Sequence, residues 1–393
     1  MDIVDSDIGR GLIGILSTLQ YSLTVGQPSS SNIKRYRSKK KLTQHDLSEL
    51  SGISLPAIKN IERKKGLPRT NTLRAISKAL DCRLQDLVKP IGELSAVHFR
   101  ARSKMNRREQ ILAQVSKWLN DFAFLEALLL DKEEYKLHKL AGTSGKLSPI
   151  QYAEEARRII GLKVDEPIHD ICGLLESCGI KILLLPYSSD AFNGLSVGEN
   201  DKGPAIIINT WERISIERQI FSTAHELGHL LMHLSDYDGK ARSEDKVQEK
   251  EADLFAGYFL MPEQGFDSEW AETAGMPFVE RVMKIKSIFK VSYKTVLYRL
   301  KQKGIASDMI WLRFQQLYEA KYNKKLSFKE EPFPEGSEPF GLKPFDFYAD
   351  RLVRLVRRAV EEEKISISRA AEILNLSTEQ MMERITEWEE FGQ

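Results

Sequence analysis

Apolar positions recur at three- and four-residue spacing in short stretches, broken by turn residues. Leu47 and Leu50 form one such set and Ile58 and Ile61 the next, with Gly52 between them. This predicts two short amphipathic helices joined by a sharp turn. Thr43 is placed to cap the first, with Asp46 three residues on, and Ser54 the second, with Pro56 in its first turn. Leu47 and Leu50 are expected inside; Leu55, Lys59 and Asn60 are left outward. Leu73, Ile76, Ala79, Leu80 and Leu87 extend the same core. A helical period then runs from Gln110 to Leu119 and on through Phe122, Phe124, Leu125 and Leu128. Ser148 can cap a helix through Tyr152, Ala156 and Ile159, and Ile168 to Cys178 predicts another, stopped at Gly179. Two short continuous apolar runs, 180–186 and 205–209, read as strands, with Asn193-Gly194 as turn chemistry between them. Leu352, Leu355, Val356 and Val360 line the first of three helices in 346–393.

At roughly 150 residues per domain, 393 residues suggest two or three domains, and these patterns divide the chain into six segments. They are an extension (1–31), a basic helical module (32–90), a helical connector (91–146), a mixed α/β unit (147–327), a Pro/Gly-rich linker or strapped loop (328–345) and a helical C-terminal segment (346–393). At 42% hydrophobic and 29% charged residues, the chain has material for real cores. Three cysteines, Cys82, Cys172 and Cys178, are too few for a disulfide scaffold and lack paired zinc spacing, so a reducing cytoplasm is expected. The run from Leu12 to Leu23 is short and interrupted by polar residues, and acidic Asp2, Asp5 and Asp7 precede it. Neither a membrane span nor a secretory signal is expected from it.

The net charge of +2 hides an asymmetry. Residues 32–90 carry 15 Lys/Arg against 5 Asp/Glu, which leaves the rest of the chain acidic. A basic head with this turn chemistry suits a polyanion. The run from Leu42 to Glu62 resembles a lambda-repressor-like (Xre-like) helix-turn-helix. The resemblance implies double-stranded DNA as partner, the second helix entering the major groove, and dimers on paired half-sites. Carried onto this chain, Gln44 would touch phosphate, and Ser54, Leu55, Pro56 and Lys59 would face bases. Asn60, Arg63 and Lys64 would lie near the backbone. The C-terminal segment has a similar outline (Ile365 to Met382) but 7 Lys/Arg against 11 Asp/Glu, a surface that repels phosphate. Protein contact or dimerisation is expected there.

The α/β unit contains His225-Glu226-Leu227-Gly228-His229. On a helix the two histidines stand one turn apart on one face, so both can reach a single Zn²⁺, while Glu226 is rotated into the position of a general base. A third ligand is needed. His233 lies about 12 Å from His225 along a continuous helix and is read as a helix-end residue, or one that supports a ligand from outside, and not as a ligand itself. On the next helix Glu251 shares a side with Phe255, Tyr258 and Phe259, so it is taken as the buried third ligand, with Glu249 solvated and Asp253 orienting an imidazole. Tyr258, Arg299 and His233 are open as oxyanion donors.

Spaced features in order carry a second resemblance: Tyr152 to Arg157, Gly179-Ile180, Asn193-Gly194, Arg218 to Phe221, the HELGH run, Glu251 to Ala256, and Val291-Ser292 with Arg299-Leu300. Residues 147–305 resemble an ImmA/IrrE-family metallopeptidase. This implies an α/β zincin-like (gluzincin-type) peptidase core with a winged-helix-like end, one zinc per chain, and a helix-turn-helix repressor as the protein cut. The expected fold is multidomain and mainly α, with an all-α head, that α/β core and a helical C-terminal region. The expected function is a DNA-associated zinc endopeptidase regulating transcription by limited proteolysis. The alternative is a non-proteolytic DNA-binding regulator or antitoxin whose metal-binding body is a sensor.

Overall fold

A computed structural model describes residues 30–391 apart from 31, 35, 39, 41, 64–67, 83, 89–96, 102–107, 144–145, 190–191, 234–244 and 327–337. Lys64, the extension and most of the Pro/Gly-rich linker lie outside the described residues. The chain forms two compact units: 1–93 with 107–117, and 94–106 with 118–393. It is mostly helical, with one small sheet. Among the described residues no helix is long and apolar enough to cross a membrane.

In the first unit, α1 (Gln44–Ser51), α2 (Leu55–Glu62), α3 (Thr70–Ala79) and α4 (Leu84–Val88) enclose Ile33, Leu47, Ile58, Ile61, Leu73, Ile76, Leu80 and Leu87. The α1 cap is the expected one: Thr43 Oγ1 accepts from the Asp46 N–H and Asp46 Oδ2 accepts from the Thr43 N–H. Gly52 closes α1 at φ +66°, where a Cβ would be strained. Two details differ from expectation. Ser54 makes no side-chain capping bond; Pro56, with φ preset, starts α2 instead. Leu50 is 61% exposed, because Leu47 alone fills the space under α1.

The second unit begins with β1 (Val97–Ala101), in a stretch expected to be helical. Helix α5 (Arg108–Leu129) follows and reaches this unit from residue 118 on. Then come α6 (His138–Ala141), α7 (Pro149–Ile159), α8 (Ile171–Glu176), β2 (Lys181–Leu185), β3 (Phe192–Val197), β4 (Ala205–Asn209), α9 (Ile216–Met232), α10 (Lys246–Leu260), α11 (Glu263–Glu272), α12 (Phe278–Phe289), α13 (Tyr293–Gln302) and α14 (Ile310–Tyr322). The sheet order is β1-β3-β4-β2, with β2 and β4 parallel and the other pairs antiparallel. Asn193-Gly194, expected as a turn, lies inside β3, opposite Ile208 of β4 and Arg100 of β1. Asn209 fixes the entry to β3: its Nδ2 donates to the Ser189 and Phe192 carbonyls, and its Oδ1 accepts from the Tyr187 and Trp211 N–H groups.

Of the C-terminal helices α15 (Arg351–Glu361), α16 (Ile367–Leu374) and α17 (Thr378–Phe391), the first two are tied to α5 and the residues just after it. Buried Arg351 pairs with Glu126, which also pairs with Lys181; Arg358 pairs with Asp131 and Arg369 with Asp121. Residues 338–347 are a strap. Buried Lys286 bonds Glu217, in the first turn of α9; Glu217 also accepts from the Leu342 N–H, and Glu338 accepts from the Tyr293 N–H.

Glu176 sits fully buried at the start of α15, accepting from the Arg351 N–H. Burial pushes its carboxyl up to about 7. A carboxyl raised on folding contributes fully below its unfolded value of 4.5, and that contribution is lost as pH rises through about 7. Glu176→Gln removes this dependence. Against that variant, wild type loses on the order of 2 kcal/mol between about pH 5 and about pH 8, read from denaturant melts.

Candidate metal centre and helix-turn-helix face

Helix α9 starts from Ser215, whose Oγ accepts from the Arg218 N–H, and runs unbroken through the HELGH residues. His225 and His229, one turn apart, are both wholly buried. Their Nε2 atoms stand 3.0 Å apart, facing a common point. The carboxylate that meets them is Glu249: its Oε2 is 3.4 Å from His225 Nε2 and its Oε1 is 3.2 Å from His229 Nε2. The three ligand atoms lie within 4.8 Å of one another. Two neutral imidazoles and a carboxylate are donors zinc takes in tetrahedral sites, and Nε2 atoms at this spacing suit bonds of about 2 Å to one ion.

The structure thus brings His225 and His229 together and does not bring Glu251 to them; Glu249 stands there instead. The reason is the true buried stripe of α10. It consists of Ala252, Phe255, Ala256, Phe259 and Leu260. At about 100° per residue, Glu249 lies within about 50° of the centre of that stripe, while Glu251 lies about 110° away on one flank and Asp253 about 90° away on the other. Reading the stripe from Phe255, Tyr258 and Phe259 left out the two alanines and counted Tyr258, which is only half-buried. The helices close together where side chains are small: a Cβ at Gly228 would stand 3.0 Å from the Phe255 ring and 3.4 Å from the Ala252 Cα. Asp253 does take the position expected for orienting a ring, with Oδ1 2.8 Å from His225 Nδ1. Glu251 reaches His233 instead, Oε2 to Nε2 at 2.9 Å.

Glu226 is fully buried and stands against β3. Ser196 Oγ donates to its Oε2 at 3.0 Å, and a Cβ on Gly194 would fall 3.0 Å from its Cγ and Oε1. Gly194 is therefore required by the close passage of a strand over the carboxylate. Ser196 and Gly194, with Glu249, are site residues that sequence reasoning missed. The period-two spacing of Gly194 and Ser196 beside an apolar strand was the available signal. The proposed oxyanion donors are occupied elsewhere. The Arg299 guanidinium stacks 3.8 Å over the Tyr258 ring, and Tyr258 lies nine residues, about 13.5 Å, along α10 from Glu249. His233 is engaged with His229 and Glu251.

On the head, Ser54, Pro56, Asn60 and Arg63 are exposed and Leu55 and Lys59 half-exposed, so α2 leaves its outer face open. Gln44 Nε2 donates to Glu62 Oε2 at 2.7 Å, and Arg37 forks onto both Glu62 oxygens at 2.7 and 2.8 Å. This ties the start of α1 to the end of α2.

The family model described as the IrrE N-terminal-like domain, Peptidase_M78, matches residues 175–301, and a helix-turn-helix model matches residues 33–87. The chain therefore carries an IrrE/ImmA-like Peptidase_M78 domain and, on its N-terminal side, an Xre-like helix-turn-helix domain. It is similar to an uncharacterized HTH-type transcriptional regulator, YqaE, of Bacillus subtilis (strain 168). The identity is 32% over 107 residues, which span 27% of this chain and 92% of that protein. The two domains together fit a DNA-associated regulator.

If this cluster holds zinc, Glu249→Ala, which removes a donor, abolishes stoichiometric binding at micromolar protein, whereas Glu251→Ala still binds one zinc per chain at that concentration. Metal analysis after gel filtration reads the difference.

Proposed function

We propose that this chain is a DNA-associated zinc endopeptidase of gluzincin type that regulates transcription by limited cleavage of a helix-turn-helix repressor. The observation that carries this reading is the convergence of His225, His229 and Glu249 beside a buried Glu226. Zinc held by those three side chains would supply Lewis acidity, polarising the scissile carbonyl and bringing the pKa of water at that point to about 7. Glu226 takes the proton from the attacking water and delivers it to the leaving amine. Ser196 holds one carboxylate oxygen, so Glu226 keeps a single rotamer for both transfers. Ala224, Leu227, Leu230 and Leu231 bury the opposite face of α9 in the core and so hold the helix that carries both imidazoles.

The core of the peptidase is residues 147–327, and 32–90 is the DNA reader, acting as a dimer on paired half-sites in the cytoplasm. Gln44 and the exposed Asn60 and Arg63 lie against phosphate, with Lys64 alongside, while Ser54, Leu55, Pro56 and Lys59 face base edges. Leu55 and Pro56 make no bidentate base contact, so methyl contacts, Lys59 and DNA shape carry specificity.

Two measurements test this. Zinc-loaded full-length protein cuts a helix-turn-helix repressor encoded nearby, and Glu226→Gln lowers the rate by at least about a hundredfold with zinc retained, the scale of a lost general base. Equal cleavage by the variant rejects the assignment. On the head, Arg63→Ala weakens binding to the DNA upstream of the chain's own coding region and lowers the slope of log affinity against log salt by about one.

A further inference from the structure

His233 stands at the end of α9 and is 6% exposed, with its N–H bonded to the His229 carbonyl at 3.0 Å. Its ring is held between two partners: Nδ1 is 2.9 Å from His229 Nδ1, and Nε2 is 2.9 Å from Glu251 Oε2. We propose that Glu251 and His233 form a positioning relay that fixes the tautomer and orientation of His229 for metal binding. This rests on the metal-site reading above.

The proton assignment follows step by step. His229 Nε2 faces His225 Nε2 and Glu249, so Nε2 is the ligand atom. A ligand nitrogen presents its lone pair, so the proton of neutral His229 sits on Nδ1. That N–H donates to His233 Nδ1, which must then be the acceptor. The proton of His233 is consequently on Nε2, and it donates to the Glu251 carboxylate. Only this arrangement lets both hydrogen bonds and the metal bond coexist with neutral rings.

The two imidazoles are thereby served from opposite flanks of α10. Asp253 reaches His225 directly. His229 lies a turn further along α9, and the acid on the other flank, Glu251, reaches it through a bridging ring. The carboxylate at the end of the chain makes His229 a better donor, as outer carboxylates do for zinc-bound imidazoles. It also explains an acid at position 251 that takes no part in the donor cluster.

The test is zinc affinity of the full chain, by competition with a chromogenic chelator, together with ¹⁵N imidazole spectra of the zinc-loaded protein. His233→Ala and Glu251→Ala each lower affinity by about 10- to 100-fold. Glu251→Gln, whose carbonyl still accepts from Nε2–H, falls between wild type and Glu251→Ala. The double variant is no weaker than His233→Ala, since both act through one path. In wild type His233 gives the Nε2–H pattern, and Glu251→Ala removes the hydrogen bond made by that proton while His229 Nδ1–H keeps the tautomer. An Nδ1–H pattern at His233 in wild type, unchanged affinity in Glu251→Ala, or additive losses in the double variant, overturn the relay. Glu249→Ala separates the two levels. If it binds zinc as wild type does, the donor set itself is wrong; if it alone loses zinc while the 233 and 251 variants do not, only the relay is.

Discussion

The site depends on how closely α9 approaches α10. Gly228 lets the Phe255 ring and the Ala252 backbone come within 3.0 to 3.4 Å of where its Cβ would stand. That separation is short enough for a glutamate on α10 to reach two imidazoles on α9, and it sets which glutamate does so. Glu249 lies one turn before Ala252, on the face that this contact presents to α9. A larger residue at either small position would hold the helices apart and move the carboxylate out of reach of both rings. The donor set is therefore a consequence of packing between two small residues as much as of the three polar side chains themselves.

A second close approach places Glu226, the proposed base. Glu226 shares α9 with the histidines but faces the sheet, where β3 crosses it at Gly194 and Ser196. The strand brings no side chain at 194 and a hydroxyl at 196. Register does the rest: Gly194 opposes Ile208 and Ser196 opposes Ile206, so β4, pinned at Asn209, determines where both residues stand. The strap across 338–347 acts at the other end of α9, where Glu217 holds the Leu342 N–H and Lys286. A buried ion pair of this kind contributes little net stability, yet losing one partner strands a charge in the core. It holds the start of the site-bearing helix to α12 and to the chain that leads into the C-terminal helices.

Much of this was legible in the sequence where a local signal carried it. The capping boxes at Thr43 and Ser148, the turn at Gly52, the strands near 180–186 and 205–209, and the pairing of His225 with His229 each depend on residues a few positions apart. The errors arise where a distant partner decides. Asn193-Gly194 has turn chemistry, but here the glycine answers to a carboxylate on another element. Leu50 has the right helical spacing for burial and lacks anything to bury against. Residues 97–101 read as part of a helical connector, yet pairing with β3 makes them a strand. Choosing between Glu249 and Glu251 required weighing Ala252 and Ala256 as contact residues. Small side chains are easily passed over in a search for an apolar stripe because they mark where helices touch without adding much hydrophobicity.

The same logic bears on what a functional body consists of. The helical core around α9 and α10 is contiguous, but its sheet ends in β1, which precedes α5 in the chain, and its charged interior is shared with α5 and α15. Glu126 pairs with Lys181 on β2 and with Arg351 on α15, so removing the connector strands two buried cations, and removing the C-terminal helices takes one of the two partners of this carboxylate. Stability of the unit that carries the His225, His229 and Glu249 cluster is thus distributed well beyond those residues. Truncation to the stretch bearing the HELGH helix would uncover the β3 edge that runs beside Glu226, so the geometry of the base depends on chain drawn from both sides of the site.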